Sequence, residues 1–210
     1  MTGVPLIAVL DYGIGNLRSA QKALEHLGVE ALLTDNEEII NRADALVLPG
    51  VGSFGRCISA LEETGLRELT KSAAQEAAEG GRPFLGICVG LQMLYERSEE
   101  TPGLKGLGVI NGEVELVSGV DKLPQMQWNL LKAESHLMFE GNEQESWAYF
   151  VHSYAAPISS HTVATCVYGK EVCAAIAQNN LWATQFHPEK SGKVGLQILK
   201  NFVSLVGIDS

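Results

Sequence analysis

The sequence predicts an α/β protein with a mostly parallel central sheet flanked by helices and an antiparallel-rich second half. Three observations carry this prediction. Short apolar runs alternate with helical patterns through the first half of the chain. Glycine-rich turns follow the strands of that half. After Pro102 helical periodicity gives way to closely spaced short strands until a last helix.

Leu6 to Leu10 reads as a buried first strand, followed by the turn Asp11-Tyr12-Gly13-Ile14-Gly15-Asn16. Leu17, Ala20, Leu24 and Leu27 recur at helical spacing, and Gly28 closes that helix. Ala31 to Thr34 is a second strand, Glu37 to Ala43 a short polar helix or turn, and Ala45 to Leu48 a third strand. This third strand ends at Pro49-Gly50-Val51-Gly52-Ser53-Phe54, and Ile58 to Glu79 is helical with an interruption at Gly65. Phe84 to Ile87 is the strand that delivers Cys88, and a helix is expected from there to about Arg97. Beyond Pro102, short strands are expected at Val109 to Val117, Leu130 to Lys132, Ala148 to Tyr154, Thr162 to Tyr168, Glu171 to Ala177 and Leu181 to Phe186. Leu196, Leu199, Phe202, Val203 and Val206 give the final helix, Val194 to Val206, its apolar face. No linker, repeat or low-complexity run divides the chain, so residues 1–210 are expected to form one domain.

Composition narrows the function. The chain has 210 residues, 46% of them apolar, and a net charge of −10, which argues against the basic face that nucleic-acid binding needs. No apolar run is long enough to span a bilayer. The N-terminus, Met1 to Pro5, lacks a basic region, and Asp11 interrupts the apolar stretch, so no secretory signal and a cytoplasmic location are expected. The four cysteines, Cys57, Cys88, Cys166 and Cys173, form no Cys-x-x-Cys and none has a histidine at metal-ligand spacing, so no metal is expected. A two-residue loop at Gly169-Lys170 would set Cys166 opposite Cys173, as free thiols in a reducing compartment. No cofactor is expected either. Arg18 stands where a dinucleotide-binding G-x-G-x-x-G needs its third glycine.

The chemistry gathers at the carboxyl ends of the parallel strands, where such sheets bind ligands. The Gly13 turn, the Gly50 loop and the Cys88 turn all lie at that edge. In Phe84-Leu85-Gly86-Ile87-Cys88-Val89-Gly90-Leu91-Gln92 an apolar run ends in a cysteine between two glycines, followed by a helical pattern. This is how a nucleophile is placed at a sharp strand-to-helix turn, with the helix N–H groups aimed at the sulfur. A base and an orienting group are available in His187-Pro188-Glu189, where residues two apart on extended backbone point to one side. The oxyanion of acyl transfer could take the Val89 N–H and a second donor from Val51 or Gly52.

Together, Gly86-Ile87-Cys88-Val89-Gly90-Leu91-Gln92 and His187-Pro188-Glu189 resemble the triad (class I) glutamine amidotransferases over nearly the whole chain. Four further stretches are similar to the glutaminase subunits of imidazole glycerol phosphate synthases. They are Asp11 to Asn16, Leu48 to Phe54, Phe150-Val151-His152-Ser153-Tyr154 and Lys190-Ser191-Gly192. The resemblance implies a class I amidotransferase-like fold and hydrolysis of glutamine to glutamate and ammonia through a Cys88 thioester, with His187 as base and Glu189 orienting it. It implies that Gly50, Gly52, Gln92, Ser153 and Tyr154 hold the substrate. It also implies a heterodimer with a barrel-fold cyclase/synthase subunit, a separate polypeptide since this one ends at Ser210, with Asn16, Pro124, Met126, Trp128, Asn129 and Lys190 at the interface. One segment departs from the family's Pro-x-Met-Gly-Trp-Asn: Gln127 replaces the glycine, and would be strained if that position needs a positive φ. A glutaminase serving another acceptor, of the anthranilate or aminodeoxychorismate type, a non-catalytic binding subunit and a cysteine peptidase stay open.

Overall fold

The computed structural model describes residues 4–207; the first three residues of the N-terminal reading and the chain end at Ser210 lie outside them. The first half contains β1 (Leu6–Leu10), α1 (Leu17–Glu25), β2 (Glu30–Thr34), α2 (Glu37–Arg42), β3 (Ala45–Gly50), α3 (Phe54–Glu63), α4 (Arg67–Ala78), β4 (Phe84–Cys88) and α5 (Val89–Met93). The second contains β5 (Tyr95–Ser98), β6 (Ile110–Leu116), β7 (Gln125–Ala133), β8 (Glu145–His152), β9 (Tyr154–Ala155), β10 (Thr162–Tyr168), β11 (Lys170–Gln178), β12 (Leu181–Thr184) and α6 (Gly192–Ser204). A nine-stranded sheet runs in the order β2-β1-β3-β4-β12-β11-β10-β7-β8, and β5-β6-β9 form a small second sheet. Strands β2, β1, β3, β4 and β12 pair in parallel; β11, β10, β7 and β8 pair antiparallel. Among the described residues no helix is long and apolar enough to cross a membrane.

Sequence periodicity accounts for most of these elements. On α1, Leu17, Ala20 and Leu24 are buried, and Gly28 leaves the helix at φ +85°. Strands β1 and β3 are buried along almost their whole length, as strands covered on both faces must be. Gly65, at φ +75°, divides α3 from α4, and α3 starts at Phe54 rather than Ile58 because the Ser53 hydroxyl caps the Arg56 N–H.

Two expectations are corrected. The helix after Cys88 stops at Met93 instead of reaching Arg97. The carbonyls that a longer helix would need are taken by distant donors: Leu107 N–H donates to Met93 O at 2.8 Å, Val109 N–H to Leu94 O at 2.9 Å and Gly106 N–H to Glu96 O at 2.8 Å. Tyr95 and the residues after it become strand β5. The β10–β11 hairpin turns on Gly169 alone, at φ +69°, so Tyr168 pairs with Lys170. The register shifts by one: Cys166 faces Val172 and Cys173 faces Thr165, both buried free thiols.

The decisive topological feature is β12. It follows the four antiparallel strands β7, β8, β10 and β11 in sequence, yet returns to lie parallel to β4, with Ala183 beside Gly86 and Thr184 beside Ile87. The chain leaving β12 therefore emerges next to the chain leaving β4, at the same sheet edge.

Candidate active site

Cys88 ends β4 at φ +57°, ψ −110°, one of two non-glycine residues with positive φ among the described residues. A β-carbon residue takes that conformation only where its surroundings enforce it. Here three glycines do. A methyl group on Gly90 would stand 1.9 Å from Leu48 O, one on Gly86 3.0 Å from Gly90 O, and one on Gly50 2.7 Å from Gly90 N. Strands β3 and β4 thus grip the first turn of α5 backbone to backbone, and Cys88 is fixed at the bend, 3% exposed.

His187 and Glu189 lie beyond β12. His187 N–H donates to Tyr149 O at 3.0 Å, and the Ser191 hydroxyl donates to His187 O at 2.6 Å. Residues Pro188–Lys190 form a 3₁₀ turn, not the extended backbone of the sequence argument. The outcome is the same contact: His187 Nδ1 meets Glu189 Oε1 at 2.8 Å, with both side chains almost fully buried. Gly195 of α6 packs so tightly under this turn that a methyl there would fall 1.9 Å from Pro188 O. Burial opposes charge on the His187 ring, but the neighbouring Cys88 thiol and the Glu189 carboxylate outweigh it and raise its pKa to about 9. Nε2, on the opposite edge of that ring, has no hydrogen-bond partner among the described residues.

A cavity of about 560 Å³ opens beside these groups. Of the residues singled out from sequence, it is lined by Asn16, Val51, Gly52, Cys88, Val89, Gln92, Pro124, Ser153, Tyr154, His187 and Lys190. Glu189 stands behind His187, and Gly50 packs against Val89 and Gly90 outside the lining. Met126 and Trp128 project from β7 at 61% and 48% exposure. Asn129 spends its side chain within the sheet, donating to Val167 O and accepting from Leu130 N–H. Gln127 lies in regular β7 strand without positive φ, so it carries no backbone strain.

Beside Gln92, polar side chains that sequence reasoning did not assign stand at or behind the cavity wall: Gln185, His152 and Glu100. Gln92, 3% exposed, donates through Nε2 to Tyr154 O at 2.9 Å and to Gln185 Oε1 at 3.1 Å, and Gln185 Nε2 reaches Cys88 Sγ at 3.8 Å. A hydrogen-bond chain thus runs from β9 to the thiol. Period two gives the signal for Gln185, which precedes His187 by two residues at the strand exit. His152, from the buried face of β8, and Glu100, from the turn after β5, also line the cavity. Nothing local in sequence marks Glu100. The loop between β3 and α3 is held from beneath: Tyr12 Oη donates to Pro49 O at 2.5 Å and Cys57 Sγ to Val51 O at 3.4 Å. Because a trans peptide points its N–H away from its carbonyl, the Gly52 N–H faces away from Cys57.

A buried cysteine at a strained turn, a histidine held by a carboxylate just past the neighbouring strand, and a glycine loop at one cavity suit acyl transfer through a thioester. Comparison with known proteins agrees. Residues 8–205 match the family model for glutamine amidotransferase class-I. The chain is 48% identical to the imidazole glycerol phosphate synthase subunit HisH of Methanothermobacter thermautotrophicus, over 96% of this chain and 99% of that one. It is 46% identical to the subunit of the same name from Methanocaldococcus jannaschii, over 96% and 100%. The crystal structure of a glutamine amidotransferase, 22% identical, shares the fold with a TM-score of 0.74 over 98% of this chain and all of that one. The chain belongs to the class I glutamine amidotransferases, in the branch of the imidazole glycerol phosphate synthase HisH subunits.

Proposed function

We propose that the chain is a cytoplasmic glutaminase, one amidotransferase domain that supplies ammonia to a barrel-fold cyclase/synthase subunit. That partner makes imidazole glycerol phosphate and an aminoimidazole carboxamide ribonucleotide. The observation that carries this reading is the meeting of Cys88, at the end of β4, with the His187–Glu189 pair, at the end of β12, around one cavity.

Cys88 Sγ, its proton already passed to His187, attacks the carboxamide carbon of glutamine. His187 returns that proton to the departing ammonia, then activates water to cleave the thioester to glutamate. Glu189 holds the ring through Nδ1, leaving Nε2 for these transfers. The tetrahedral oxyanion is received by the Val89 N–H and a donor of the Val51–Gly52 segment; one such donor is worth about 10²–10³ in rate. Gln92, Ser153 and Tyr154 wall the substrate, and the Glu100 carboxylate complements its α-ammonium group.

The partner surface is supported by an apolar stripe on β7 and β8. Cross-strand pairs Met126–Val151, Trp128–Tyr149 and Leu130–Trp147 share one face, and Val151 and Pro124 carry it to the rim of the cavity. Trp128 packs edge-on against Tyr149, centroids 6.1 Å apart, and Trp147 is 57% exposed. Aromatic residues clustered at a site mouth fit a protein interface, and docking there closes the cavity to solvent.

The test is synthesis by the purified complex. Cys88→Ala is expected to abolish glutamine-dependent product while leaving synthesis from added ammonia intact, and a glutamine-analogue electrophile is expected to label Cys88. Glutamine-dependent turnover that survives Cys88→Ala would overturn the nucleophile assignment.

A further inference from the structure

We propose that His152 holds the nitrogen of the substrate carboxamide, its Nε2 accepting a hydrogen bond from the NH2 group that departs as ammonia. The proposal deepens the glutaminase reading and rests on it.

His152 comes from the inward face of β8 and is 6% exposed, yet it lines the same cavity as Cys88 and His187. Its Nδ1 lies 2.9 Å from Tyr154 O. A carbonyl can only accept, so Nδ1 carries the proton and Nε2 presents a bare lone pair. That Nε2 is buried and has no partner among the described residues. A buried acceptor left unmade has lost its hydration without recompense, and a bound donor would restore the missing hydrogen bond. The ring cannot turn away to solvent: Tyr154 O fixes one edge, and Phe150 packs against it with centroids 5.7 Å apart.

The chemistry of the ligand follows from the protonation state. Burial, together with the charge of nearby His187, lowers the His152 pKa to about 4, although the Tyr154 carbonyl works the other way. At neutral pH it is therefore a neutral acceptor and takes no part as an acid. Glutamine offers two N–H donors. The α-ammonium is a cation and finds an anion in Glu100, whereas the carboxamide NH2 is a neutral donor that matches a neutral acceptor. Holding this NH2 group aims the nitrogen lone pair of the tetrahedral intermediate, so that it can receive the proton from His187 as the C–N bond breaks. The same acceptor receives the ammonia formed.

The experiment compares two substrates in the holo complex with its synthase subunit: glutamine, and the γ-methyl ester of glutamate, which forms the same acyl-enzyme but has no N–H on its leaving group. His152→Asn keeps a donor towards Tyr154 O and removes the Nε2 acceptor. Its kcat/KM for glutamine is expected to fall at least about tenfold, with that for the ester nearly unchanged. His152→Gln, with an amide that extends further, is expected to recover part of the glutamine rate. If His152→Asn does not fold, His152→Gln and His152→Leu carry the same comparison. Equal losses on both substrates, or no loss on either, would overturn the assignment. Absence of turnover of both substrates by the wild-type complex would instead overturn the glutaminase reading.

Discussion

Replacing Gly90 by alanine tests how Cys88 is held. Gly90 is the second residue of α5, and its added methyl would meet Leu48 O at 1.9 Å and Leu48 C at 3.1 Å. An ordinary contact would require α5 to withdraw from β3 by roughly 1.5–2 Å. Withdrawal carries Val89 and Cys88 with it, because the Cys88 bend joins α5 directly to β4. Forcing such an overlap in a packed interior costs about 1–3 kcal/mol. At this chain length that corresponds to a fall in Tm of about 2–12 °C. Misplacing a reacting atom by 1 Å costs about 10²-fold in rate. The sign is diagnostic, since glycine to alanine inside a helix otherwise stabilises by about 1 kcal/mol. Thermal unfolding and glutamine-dependent synthesis read both effects. Gly80→Ala serves as the control, because a methyl there meets nothing within 4 Å and Gly80 pays only for its φ of +93°. A Gly90→Ala protein with a raised Tm and turnover within about threefold of wild type would refute the backbone grip, since it would lack the misplacement penalty.

Other consequences are as direct. His187 binds a proton more tightly when folded, with a pKa of about 9, so its contribution is complete below pH 6.5 and is lost as pH rises towards 9. His152 binds its proton less tightly, with a pKa of about 4, so stability is lost as pH falls from 6.5 towards 4. Thermal unfolding of the subunit is expected to peak near pH 6.5, with His152→Phe flattening the acid limb and His187→Gln the alkaline one; a profile unchanged by either substitution would contradict this. Gln185→Leu removes the amide that reaches Cys88 Sγ and one of the two acceptors of Gln92 Nε2, so labelling of Cys88 by a glutamine analogue is expected to slow about tenfold at fixed pH; an unchanged rate would exclude the relay. Trp128→Ala is expected to weaken partner affinity by about 30-fold or more, the loss of a 2 kcal/mol anchor, with Tm of the free subunit hardly altered; titration calorimetry measures the first and unfolding the second.

The sequence exposed those parts of the site that depend on neighbours along the chain. Cys88 could be found because a strand pattern, two glycines and a helical pattern meet within nine residues. His187 and Glu189 could be paired from their spacing, although a 3₁₀ turn and not an extended strand brings them together. Features set by distant partners stayed hidden. The early end of α5 depends on donors from residues 106 to 110 that claim its carbonyls. The register of the β10–β11 hairpin depends on Gly169 turning alone, its α-carbon pressed so close to Gly119 that a methyl would fall 2.3 Å from the carbonyl. Glu100 and His152 reach the cavity only through tertiary packing, and no local pattern distinguishes them from a surface carboxylate and a core histidine. The parallel return of β12 beside β4 is likewise invisible in local periodicity, yet it brings His187 to the same cavity as Cys88.

Strand β8 faces two ways, with Tyr149 and Val151 on the outward stripe and Phe150 and His152 turned inward. Its length is therefore a quantity that selection cannot adjust in single steps. One residue inserted or deleted between Trp147 and His152 would exchange every later side chain between the two faces, sending the imidazole out of the cavity and an apolar side chain into it. Two residues would restore the faces but displace Tyr149 O, the anchor of the His187 N–H, by about 7 Å along the sheet. Changes of length among relatives should therefore collect in the Glu140–Gln144 turn ahead of the strand, where the backbone is already irregular, and an alignment of the branch should show β8 as an ungapped block.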